Sequence, residues 1–113
     1  MEFEELQEKV LDWAYDKDLL HEENAYKQFM KFIKEVFEFK TEMDNVFSDA
    51  YIHVDDAAER MELEMGDIFV TLIILCEQLD IDPIYCLESA YNKIKGRKGK
   101  TINGCFVKKE DLK

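Results

Sequence analysis

The chain has 113 residues, 26 acidic and 15 basic, for a formal charge of −11 with both histidines neutral. That length builds one domain around a single core and is too short for two. Apolar residues make up 47% of it, with one Pro and four Gly; this excludes disordered, collagen-like and repeat chains and, for want of turn residues, an all-β domain.

A first helix is expected over Glu2 to Leu19, where Phe3, Leu6, Val10, Trp13 and Ala14 recur at steps of three and four. The polar stretch His21 to Asn24 reads as a link, with Asn24 as N-cap. A second helix follows from Ala25 to Phe47, its core face made of Phe29, Phe32, Ile33, Val36, Phe37, Met43 and Phe47. After a break at Asp49–His53 comes a third, from Val54 to Leu79. Asp82-Pro83 is a strong start signal, because the aspartate caps and the proline sits where its missing N–H does no harm. The fourth helix then runs from Pro83 to Lys95. Asn103-Gly104, between Ile102 and Cys105-Phe106-Val107, reads either as a tight hairpin turn or as a kink in an extended tail. The expected fold is all-α: an antiparallel bundle of about four helices completed by oligomerisation, with a short extended C-terminal tail.

Charge is distributed unevenly. Residues 93 to 113 hold eight basic groups against Glu110 and Asp111, a balance of +6, so the first 92 residues carry −17. An acidic body repels a nucleic-acid backbone and suits divalent cations beside a small anion. Cys76, Cys86 and Cys105 are odd in number and lack C-x-x-C spacing, so neither a disulfide framework nor a zinc knuckle follows. The acidic start MEFEELQEKV has no basic n-region, and the longest apolar stretch, Ile68 to Cys76, is too short to span a bilayer. A reduced, cytoplasmic protein with no membrane partner is expected. His21 and His53 read as loop residues and receive no role.

The third helix carries the most informative pattern. From Met65 to Leu75 it is apolar almost all round, as a fully buried helix would be, except at Gly66, Asp67 and Thr71. Glu64, Asp67 and Thr71 share one stripe at about 100° per residue. A carboxylate buried there without a partner costs several kcal/mol, so basic groups or a cation must compensate. On the second helix Glu35 and Glu38 form another i, i+3 pair, and Glu42 continues their stripe. Two such pairs on antiparallel helices would converge as four oxygen-bearing groups, hard donors suited to Mg²⁺, which accepts phosphate oxygens as further ligands.

KEVFE (Lys34 to Glu38), followed after 25 residues by EMGD (Glu64 to Asp67), resembles the E-E-x-x-E … E-x-x-D signature of MazG-like, all-α nucleoside triphosphate pyrophosphohydrolases. The flanking KQFMKFIKEVFEF and GDIFVTLIILCEQLDID, and the ending AYNKIKGRKGKTINGCFVK, are similar to the small MazG-like proteins of phages and Gram-positive bacteria. The likeness covers residues 5 to 112, within one domain spanning 1–113 whose basic tail is 96–113. The family's first glutamate is Lys34 here, which places a cation beside the site without removing a spaced ligand.

The resemblance implies metal ligation by Glu35, Glu38, Glu64 and Asp67, with Mg²⁺ as cofactor and Mn²⁺ as a substitute. It implies substrate contacts from Asn92, Arg97 and Lys98, and hydrolysis of a (d)NTP between the α and β phosphates to a (d)NMP and pyrophosphate. Glu38 would orient the attacking water or take its proton, and Arg97 with Lys98 would neutralise the leaving pyrophosphate. Gln28, seven residues before Glu35, and Lys31 between them are further candidates to reach the nucleotide, with Trp13 or Phe32 stacking on the base; core or surface roles compete for each. The family also implies a homodimer or homotetramer. The alternative is a non-catalytic helical nucleotide-binding or adaptor protein that retains the fold. A di-iron carboxylate bundle is excluded, since no Glu-x-x-His occurs.

Overall fold

The structure, a computed structural model, describes residues 1–47 and 54–112. The expected Asp49–His53 break and His53 lie outside them. Four helices account for most of the described chain: α1 (Phe3–Asp16), α2 (Ala25–Val46), α3 (Val54–Gln78) and α4 (Pro83–Ile94). Two strands follow, β1 (Gly99–Ile102) and β2 (Cys105–Lys108). The chain divides into two compact units, Met1–Ile81 and Asp82–Lys113.

In the first unit α3 packs on both α1 and α2. Cross-contacts give the directions. Gln28 meets Thr71 and Glu42 meets Arg60, so α2 and α3 are antiparallel. Phe3 meets the edge of Phe69 (ring centroids 6.4 Å apart) while Leu19 accepts a bond from Gln78, so α1 runs in the sense of α3. Ala14, Ala57, Ile73 and Ile74 are the buried apolar residues, joined by Thr71 and Gln78. Small alanines on α1 and α3 let those helices approach their neighbours closely.

α1 and α3 end alike. In each, a residue beyond the helix takes a left-handed φ, Asp18 at 59° and Asp80 at 56°. The N–H two places past the C-cap returns to the third-last carbonyl: Leu19 to Ala14 (2.9 Å) and Ile81 to Cys76 (2.8 Å). Asp18 and Asp80 donate to Tyr15 and Glu77. These are Schellman motifs with aspartate where glycine is usual. Asn24 occupies the N-cap position of α2 with a helical backbone and no side-chain cap bond, contrary to expectation. The link before it forms a short 3₁₀ turn, Glu22–Asn24, which supplies the entry to α2 instead.

The second unit follows its sequence signals closely. Asp82 caps α4 through Oδ1, which accepts from the N–H groups of Ile84 (2.9 Å) and Tyr85 (3.4 Å), with Pro83 in the first turn. The tail is an antiparallel hairpin and not a kinked extension. Asn103 and Gly104 both adopt positive φ (52° and 81°), the requirement of a type I′ turn. Gly99 pairs with Lys108, and a Cβ at Gly99 would lie 2.1 Å from the Val107 carbonyl oxygen. Only glycine fits that approach.

Burial differs from the reading of the helical faces. α3 is not buried all round: Met65 and Phe69 are exposed, and its buried face is centred on Thr71 and Ile74. Of the residues assigned to the core face of α2, Phe29, Val36, Phe37 and Phe47 are exposed, and Phe32, Ile33 and Met43 half-buried. Phe3, Leu6 and Trp13 on α1 are likewise exposed. Three helices in one unit cover one another along single seams, so apolar residues off the seam remain in water. No disulfide joins Cys76, Cys86 and Cys105. Among the described residues, no helix is long and apolar enough to cross a membrane.

Candidate metal centre

The antiparallel seam between α2 and α3 brings the two carboxylate pairs level. One oxygen each from Glu35, Glu64 and Asp67 lies within 4.8 Å of the other two. Glu38, one turn along α2, comes within hydrogen-bonding reach of both Glu35 and Glu64. Between two carboxylates such a contact is a hydrogen bond only while one carries a proton. Glu35 and Glu64 are half-buried, and Asp67 is exposed and leaves the group open to solvent.

The seam is polar because it holds these groups, and it is pinned on both sides of them. Toward the N-terminus of α2, the Gln28 amide nitrogen donates to the Thr71 carbonyl (3.1 Å). Toward its C-terminus, Arg60 Nε donates to Glu42 Oε2 (2.8 Å). Thr71, on the stripe of Glu64 and Asp67, is buried and returns its hydroxyl to the Ile68 carbonyl (2.9 Å).

Electrostatically the group is loaded with like charge. Burial pushes the Glu35 carboxyl above the ordinary range, and Glu38, Asp67 and Glu64 push it the same way. Glu64 is raised by burial first, then by Glu38, Asp67 and Glu42. Each keeps one carboxylate oxygen (Oε2) that is inaccessible to solvent and has no hydrogen-bond partner. Lys34 stands 4.0 Å from Glu38 on a side chain 73% exposed, a distance and exposure at which an ion pair contributes little.

A divalent cation fits this donor set. All donors are hard carboxylate oxygens, Glu35 and Glu64 each hold an oxygen without a partner, and exposed Asp67 leaves one side open to water and to a further ligand. Oxygens at roughly 2.0–2.1 Å from Mg²⁺ lie at most about 4.2 Å apart, and those around Ca²⁺ at most about 5.2 Å. The 4.8 Å spread therefore needs only small side-chain adjustments, an inward movement that attraction to the cation would drive.

The remaining residues read from the sequence are placed as follows. Gln28 spends its amide N–H on the helix seam. Lys31 is exposed on α2, one turn before Glu35. Trp13 is half exposed and lines an apolar recess of about 350 Å³ with Leu6, Lys9, Val10 and Val70. Phe32 is half-buried beside Phe29, their centroids 6.5 Å apart. In the second unit Asn92 is exposed on α4, Arg97 is half-buried just after it, and Lys98 is exposed before β1. His21 pairs with Asp18 and, at 4.0 Å, with Glu23. The sequence reading missed the Glu42–Arg60 pair. Its signal was present: Glu42 continues the Glu35 stripe, and Arg60 stands one turn before Glu64 on α3.

Comparison of the chain with protein-family models, with curated proteins and with solved structures finds no match in any of the three.

Proposed function

We propose that the chain is a MazG-like, Mg²⁺-dependent nucleoside triphosphate pyrophosphohydrolase, cleaving a (d)NTP to a (d)NMP and pyrophosphate. The observation that carries the reading is the meeting of Glu35, Glu64 and Asp67 within 4.8 Å, with buried oxygens of Glu35 and Glu64 left without partners. These residues belong to the two segments KEVFE and EMGD that carry the resemblance.

Glu35, Glu64 and Asp67 would hold the cation, with Glu38 beside them. Bound there, Mg²⁺ would supply charge neutralisation for the triphosphate and make a coordinated water more acidic at neutral pH. Glu38 orients the attacking water or accepts its proton. As the water oxygen bonds to the α-phosphorus, the bond from that phosphorus to the α,β-bridging oxygen breaks and pyrophosphate leaves. The resemblance gives Asn92, Arg97 and Lys98 as substrate contacts, and the planar fork of Arg97 suits a phosphate. The exposed apolar faces of α1, α2 and α3 support a homodimer or homotetramer that covers them.

The test is pyrophosphate release from a panel of ordinary and modified dNTPs and NTPs with Mg²⁺, repeated in EDTA. Release that requires the cation and is nearly abolished by Asp67→Asn supports the proposal. Release that persists in EDTA overturns the metal mechanism. Absence of turnover on every nucleotide, with the cation still bound, assigns the chain to the non-catalytic alternative.

A further inference from the structure

Glu42 is the third carboxylate of α2 to face the seam near this site, after Glu35 and Glu38, yet it is engaged differently from the others. Its side chain is only 16% exposed, and its Oε2 accepts from Arg60 Nε at 2.8 Å across the two helices. Arg60 lies one turn before Glu64 on α3 and Glu42 one turn after Glu38 on α2, so the pair borders the metal centre. A guanidinium on a carboxylate fixes orientation as well as charge, because its donors are planar and rigid. Lys34, at 4.0 Å from Glu38 and largely in solvent, does neither. One carboxylate of the stripe is thus held by a built partner, while the buried carboxylate oxygens left unpartnered belong to Glu35 and Glu64.

We infer that Arg60 is a positioning residue that holds Glu42 out of the carboxylate group and thereby sets how much negative charge the metal centre presents to a cation. The inference rests on the metal-centre reading above. Cation affinity in oxygen-donor sites is tuned by the number of charged ligands and the rigidity of the site. Releasing Glu42 adds a carboxylate able to swing toward Glu64. The centre then binds divalent cations more tightly, at the expense of the open side it offers a phosphate ligand.

The experiment is calorimetric titration of the metal-stripped full-length protein with Mn²⁺ alone, for wild type, Arg60→Gln, Arg60→Lys and the double variant Arg60→Gln/Glu42→Gln. Arg60→Gln is expected to bind about tenfold more tightly. Arg60→Lys keeps the charge without the fork and falls between it and wild type. The double variant, with no carboxylate to release, returns to within about twofold of wild type, which loss of a merely structural bond would not produce. Unchanged or weaker binding by Arg60→Gln, or a double variant as tight as Arg60→Gln, overturns the inference. Where Arg60→Gln loses its helical circular dichroism, Arg60→Lys decides: tighter than wild type supports, equal or weaker overturns. A wild type that binds no Mn²⁺ overturns the metal-centre reading and the inference together, whereas a wild type that binds beside an unresponsive Arg60→Gln overturns the inference alone.

Discussion

A carboxylate group that could hold a divalent cation is expected to make the protein's stability respond to such cations, and the size of that response follows from its geometry. Oxygens of Glu35, Glu64 and Asp67 converge within 4.8 Å with two carboxylate oxygens unsatisfied, so a cation gains a preformed site that the unfolded chain lacks. A ligand that binds only the folded state at about 100 times its Kd adds about 2.7 kcal/mol. For a chain of this length that raises Tm by roughly 10 °C. Asp67→Asn removes one of three donors and one like charge from its neighbours. Since Asp67 is exposed, the change disturbs no packing. The variant is expected to melt at or above the wild-type temperature in EDTA, to show less than half of the wild-type rise in Mg²⁺, and to lose nearly all turnover. Differential scanning calorimetry in EDTA, in MgCl₂ and in NaCl of matched ionic strength measures all three melting terms. A rise no larger in MgCl₂ than in NaCl, or an undiminished rise in Asp67→Asn, refutes the reasoning.

Three further outcomes are expected of the same fold. Because the Glu35 and Glu64 carboxyls are raised in the folded state, that state binds protons the unfolded chain has already released. Their contribution in metal-free protein therefore falls as pH rises through the raised values and is recovered on acidification toward the ordinary carboxylate range. Thermal melts between about pH 5 and 7.5 should accordingly show a gap between Glu35→Gln and wild type that widens in favour of the variant toward neutral pH. Ile74, 3% exposed on α3, is one of the buried apolar residues among those described; Ile74→Ala should cost about 2–5 kcal/mol in urea titrations. Asp80 ends α3 at φ 56° with no hydrogen-bonded cap of its own side chain among those described, so Asp80→Gly should stabilise by up to about 1 kcal/mol in the same titrations.

Local signals in the sequence translated into structure where one or two residues decide the conformation. Asp82-Pro83 starts α4, and Asn103-Gly104 turns the hairpin, because a cap and a pair of positive φ angles are short-range demands. The spacing of Glu35, Glu38, Glu64 and Asp67 foretold a meeting of carboxylates, since a helical period puts each pair on one stripe. Three of the four share the 4.8 Å group, with Glu38 next to it. What escaped depends on register between elements. The Arg60–Glu42 pair and the Gln28–Thr71 bond exist only once α2 is laid antiparallel on α3. Asp18 and Asp80 end their helices without the glycine that marks such an end. Apolar periodicity likewise marked Phe29, Phe37 and Phe47 for burial, but periodicity shows that a face is apolar and not that this chain covers it.

The bonds from Gln28 to Thr71 and from Arg60 to Glu42 act as two rivets through a pair of rods. Sliding α2 along α3 by even a single residue would shear both at once. The spacing of the acidic oxygens is thereby insulated from whatever settles on the greasy outer faces, and those faces are at liberty to drift under mutation without retuning the centre.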